Sequence, residues 1–191
     1  MKRSLDESKL LFVSNRKAWR AWLKKHHKSE TEVWLIYFKS HSDKARIPYN
    51  DAVEEALCFG WIDSTVTSLD EDRFAQRFSV RNPKSPYSQA NKERLRELVN
   101  LGKVSKAVIV TLGNILEEPF EIPPDILKAI KANPKAWKHF QALSEPYIRI
   151  RIAFIDGARK RPDEFKKRLR YFIEMTEKNK RFGFGGIEKY Y

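Results

Sequence analysis

The chain has 191 residues and a formal net charge of +13, from 38 basic and 25 acidic side chains. A hydrophobic content of 41% suits one good core, or a main domain with a smaller companion, and excludes a disordered chain. The single cysteine excludes an intramolecular disulfide, and no apolar run approaches the length of a membrane span. The apolar run at residues 10–13 is too short for a signal-peptide core, so a cytoplasmic protein in a reducing compartment is expected. A charge this far from zero attracts polyanions, although a well-solvated basic surface is the favoured reading.

The first helix is expected over residues 14–26, where Trp19, Trp22 and Leu23 form one apolar face. Residues 33–38 are an unbroken β-branched and aromatic run, which predicts a central strand buried on both faces. After Pro48, Asn50 or Asp51 caps a helix that ends at Gly60, with Val53, Ala56 and Leu57 inward. Residues 64–69 and 74–80 predict two strands joined by the charged turn 70–72. On the second, Phe74, Gln76, Phe78 and Val80 point one way, and Ala75, Arg77, Ser79 and Arg81 the other. Ser85 and Pro86 read as the N-cap and first position of a helix to about residue 100, followed by another over 105–117.

Residues 117–124 carry Pro119, Pro123 and Pro124 and read as a linker. Helices are expected beyond it over 125–132, 134–143, 147–158 and 162–178. Residues 148–152 alternate as a strand would, but their neighbours are helical and Ile148, Ile152 and Ile155 also make a helical stripe. The expected architecture is α+β: a small antiparallel sheet with flanking helices over 1–116, then the linker 117–124. An all-helical domain over 125–181 and a flexible glycine-rich tail over 182–191 complete it.

Chemistry concentrates in residues 54–91. Cys58 lies four residues after Glu54 and three after Glu55, in the last turn of its helix. The carboxylates and the negative helix end both oppose a thiolate, which predicts a buried, inert cysteine. Asp63 follows the apolar residues 59–62 and is the candidate acid or base, since the adjacent Glu54 and Glu55 diverge on a helix. His26, His27, His41 and His139 have no metal-ligand spacing, so no metal and no cofactor is expected. The best site is an anion site: Arg77 and Arg81 on a strand face, then Lys84, Ser85 and Ser88 at a helix N-terminus, with Asn91 beside them. Residues 133–191 hold 15 basic and 7 acidic side chains, and Lys166, Lys167 and Arg170 are candidates for contact with nucleic acid. No helix-turn-helix, zinc-finger or RNA-recognition signature accompanies them.

Glu55-Ala-Leu-Cys-Phe-Gly-Trp-Ile-Asp63, Gln76-Arg-Phe-Ser-Val-Arg-Asn-Pro-Lys-Ser85 and Ser88-x-x-Asn91 strongly resemble the bacterial YdeI/OmpD-associated, or bacteriocin-protection, family. Trp19-x-x-Trp-Leu23 and residues 33–38 fit the same pattern, as do residues 123–125 and 155–162 more loosely. Tyr87 stands where tryptophan is expected and Ser64 where glycine is usual. The resemblance covers nearly the whole chain and implies a protein linked by name to an outer-membrane porin and to protection against bacteriocins. It implies no established reaction and no catalytic residues. The expected function is therefore non-enzymatic: a cytoplasmic binding or stress-protection protein recognising an anionic ligand or acidic partner. The alternatives are an enzyme acting on a small anionic metabolite through Asp63, and nucleic-acid binding through the basic C-terminal helix.

Overall fold

The computed structural model describes residues 6–183 and 186–191. The chain divides into two compact units, Met1–Pro86 with Arg94–Gly113, and Tyr87–Glu93 with Asn114–Tyr191.

The first unit has the expected α+β character. Strands β1 (Leu10–Leu11), β2 (Glu32–Phe38), β3 (Trp61–Ser68) and β4 (Arg73–Val80) stand in the order β1-β2-β4-β3. Both β2 and β3 run antiparallel to β4, while β1, too short to show in the pattern, adds a parallel edge to β2. Strand β2 is internal, but only Val33, Leu35 and Tyr37 are buried and the alternate residues are half-buried. The expected burial on both faces is thus corrected. Large apolar side chains also occupy half-open faces, so an unbroken apolar run does not fix burial on its own.

Strand β3 begins at Trp61, earlier than expected, and carries a bulge. Asp63 pairs with Phe78 but Val66 pairs with Gln76, so β3 holds one extra residue there. The buried Gln76 amide donates to the Ser64 carbonyl at 3.0 Å, which satisfies a group the bulge takes out of the ladder.

Helix α1 (Arg16–His26) starts where the Asn15 side chain accepts from the Ala18 N–H. Its Trp19 and Leu23 are fully buried, and the Trp19 indole donates to the Ala52 carbonyl on α2 (Tyr49–Cys58). Helix α2 opens at Pro48 without a side-chain cap, in place of the expected Asn50 or Asp51. It ends at Gly60, whose φ of +76° suits glycine and whose added Cβ would meet Val108 at 3.2 Å. Polar contacts also tie α1 to α2. Arg16 reaches Glu55 at 2.5 Å, Glu54 at 2.9 Å and Asp51 at 3.0 Å, and Arg20 reaches the other Glu55 oxygen at 2.5 Å. Burial opposes the charge on Arg16, but Glu55 and Glu54 outweigh it and hold the guanidinium above its ordinary value.

Helix α3 (Gln89–Asn100) starts at Gln89, not at Ser85 and Pro86. Residues 83–85 form a turn instead, in which the Asn82 side chain accepts from the Lys84 N–H and its carbonyl from the Ser85 N–H. Helix α4 (Lys106–Leu112), capped by Ser105, completes the first unit.

The second unit is helical: α5 (Pro124–Lys131), α6 (Pro134–Phe140), α7 (Glu145–Asp156) and α8 (Pro162–Glu177). Its core gathers Ile126, Ile130, Phe140, Tyr147, Ile152 and Phe172. Residues 148–152 are helical, because the stripe of Ile148, Ile152 and Ile155 faces that core and outweighs the alternation. Phe120 and Ile122, in the segment read as a linker, pack against the same core. So do Phe182, Ile187 and Tyr190, in the segment read as a flexible tail, and the Tyr147 hydroxyl donates to the Phe182 carbonyl at 3.0 Å.

Two substitutions test these packings. Glu55 is 2% exposed, so Glu55→Ala should lower stability by about 2–3 kcal/mol in urea unfolding, and more than Arg20→Ala, which leaves Glu55 paired with Arg16. Ile187 is 3% exposed, so Ile187→Ala should cost about 2–4 kcal/mol, where a loose tail would give no change.

Candidate functional site

The residues expected to bind an anion lie around the end of β4 and the start of α3. Arg77 is engaged by Glu32, with Nε at 2.7 Å and a terminal nitrogen at 2.5 Å, and its remaining arm lies near the Ser64 and Ser79 hydroxyls. Glu32 also takes Lys9 at 2.7 Å, and the two cations hold its carboxyl below the usual range. Arg81 follows β4, and its backbone N–H donates to the Gly60 carbonyl. Lys84 and Ser85 are exposed in the turn. The Ser88 hydroxyl accepts from the Asn91 N–H at 3.3 Å, so the chain itself takes up part of that helix start.

Asp63 sits beside the bulge in β3, partly buried, and accepts a 2.7 Å hydrogen bond from the Tyr49 hydroxyl. That bond and partial burial raise the Tyr49 phenol above its ordinary value, burial being the larger cause. Cys58 is fully buried. Burial first, then the Glu55 charge, push its thiol up to about 11, against the opposing pull of Arg20 and Arg16. Among the described residues no group of three or more His, Cys, Asp or Glu is placed to hold a metal ion. Lys166, Lys167 and Arg170 are exposed on α8. The shallow groove containing Lys166 and Arg170 is also lined by Glu174 and Glu177, so its charge is mixed.

A further opportunity for a ligand was not visible in the spacing of residues. A cavity of about 590 Å³ lies wholly within the second unit. Its walls come from residues 88–90 at the start of α3, from α7 and α8, and from the C-terminal segment. Of the residues expected to bind an anion, only Ser88 lines it. The wall is mainly apolar, with Ile150, Phe154, Tyr171 and Phe182, but two arginines enter it. Arg168 on α8 is partnered: its Nε is 2.7 Å from Glu164 and it donates to the Phe154 carbonyl at 2.8 Å.

Arg151 on α7 is different. It is 6% exposed, its Nε is buried without a hydrogen-bond partner, and it makes no ion pair among the described residues. Its guanidinium carbon lies 4.0 Å from the centre of the Phe182 ring and 5.0 Å from that of Phe154. Burial pushes it below its ordinary value, and the Arg168 charge acts in the same direction. An arginine still keeps its proton at neutral pH.

Residues 11–111 match the model of a domain of unknown function (DUF8412). That match spans more than half of the chain, and the chain belongs to that family. Residues 119–179 match the model described as Bacteriocin-protection, YdeI or OmpD-Associated, which bears out the resemblance read from the sequence. The motif-rich stretch 55–91 falls in the domain of unknown function, and the bacteriocin-protection match lies in the part that resembled the family more loosely. No curated protein and no solved structure matches the chain.

The Cys58 environment has a direct chemical readout. With its thiol raised to about 11, only about one molecule in a thousand carries the thiolate at pH 8, and the sulfur is sealed from solvent. Iodoacetamide should leave Cys58 unmodified in the folded protein at pH 8 and alkylate it fully in urea, as followed by intact mass.

Proposed function

We propose that this member of the DUF8412 family, with its YdeI/OmpD-associated C-terminal region, is a non-enzymatic binding protein for a small anionic ligand, held in the cavity of the second unit. The observation that carries this reading is Arg151: a buried guanidinium at the wall of a cavity, with no carboxylate beside it. A cavity of this size is in the range of small-molecule sites, which are mostly apolar with a few polar groups that fix orientation. Arg77, the centre of the anion site expected from sequence, already holds Glu32, so the second unit offers the better anchor. The bacteriocin-protection description fits a binding role that acts indirectly. A chain of net charge +13 does not attract cationic peptides, so protection would run through a bound anion or an acidic partner. An enzyme built on Asp63 has less support, since that carboxylate is occupied by Tyr49 and lies outside the cavity.

The test exploits the opposition between binding and stability. Replacing an uncompensated buried charge with an apolar group of similar length relieves a desolvation cost. Arg151→Met should therefore leave the melting temperature of the free protein equal to or above that of the parent. It should also abolish the rise in melting temperature produced by anionic ligands in a thermal-shift screen. A large drop in the free protein's stability would show instead that Arg151 is a structural residue, and unchanged ligand stabilisation would place the anion elsewhere.

A further inference from the structure

We propose that the cavity of the second unit is built for a monocarboxylate with an aromatic body; this rests on the anion-binding reading above and narrows it to one ligand class. The number of charges sets the first half of the inference. Arg151 and Arg168 are the two cations at the wall, and Glu164 already neutralises Arg168 at 2.7 Å. One positive charge remains uncompensated, and one carboxylate balances it. A phosphate monoester carries close to two negative charges at neutral pH and would bring one charge too many into a mainly apolar cavity. Arginine's planar fork also matches a carboxylate in two parallel hydrogen bonds.

The walls set the second half. The cation is framed by rings, with Phe182 at 4.0 Å and Phe154 at 5.0 Å. Tyr171 stands edge-on to Phe182, with centroids 4.7 Å apart at 75°. A flat aromatic body entering beside them meets faces and edges suited to offset or T-shaped contact, and its carboxylate then reaches Arg151. Gly183 keeps this wall close: a Cβ there would lie 2.1 Å from the Ile187 side chain, which itself lines the cavity. No covalent step is implied.

A matched set of probes tests the class by titration calorimetry on the full chain: 1-naphthylacetate, its neutral amide, 1-naphthyl phosphate, and decanoate as an aliphatic carboxylate. The expected result is that 1-naphthylacetate binds at least tenfold more tightly than each of the other three, and that Arg151→Met removes its binding. Tighter binding of the phosphate, or of decanoate, would overturn the aromatic monocarboxylate while leaving an anion-binding cavity intact. Equal binding of the amide, or no binding of any probe by the folded parent, would overturn the anionic reading as well. Gly183→Ala provides a second readout, because it displaces Ile187 without touching a charge. It should weaken 1-naphthylacetate while leaving dependence on Arg151 in place, and unchanged affinity would remove that wall from the site.

Discussion

A guanidinium taken out of water must be neutralised, and on α7 that demand is met at one arginine and left unmet at another. Arg149 and Arg151 stand two residues apart on α7. Arg149 receives Glu93 at 2.8 Å and Glu145 at 3.0 Å, while Arg151 receives two aromatic rings. Contacts with rings contribute about 0.5–2 kcal/mol each. Burying an ion costs several kcal/mol even after relaxation. The rings therefore offset part of the cost and leave a deficit at the wall of a cavity.

The first unit solves the same problem in the opposite way. Arg16 and Arg20 share Glu54, Glu55 and Asp51, so the charges between α1 and α2 are closed among themselves. Arg77 and Lys9 likewise close on Glu32. Charge in this unit is used for orientation: it fixes α1 on α2 beside the buried Trp19, and secures the β4 side chain across from β2.

Much of the fold was legible because local periodicity and burial agreed. Trp19 and Leu23 announced α1, the alternation of residues 74–80 announced β4, and the stripe of Ile148, Ile152 and Ile155 announced α7. What was illegible depended on distant partners. The bulge in β3 is a matter of register against β4, and Phe182 and Ile187 are core residues only because α7 and α8 offer a surface for them. Arg77 was named as a ligand residue because its spacing suited an anion, yet Glu32 lies 45 positions away in sequence and no local pattern links the two. Arg151 was missed for a related reason: a charged residue between isoleucines reads as the solvent side of an element, and only packing on several sides turns it inward.

The sealed thiol at Cys58 has a practical meaning beyond its lack of nucleophilicity. As the only sulfhydryl in the chain, and one without access to solvent, it makes the native protein behave as a cysteine-free background. A single cysteine introduced at an exposed position would be the sole attachment point for a spin label or fluorophore, with no prior removal of Cys58 and no cavity left behind in the core. Two such positions, one in each unit, would turn their separation into a measurable distance in solution.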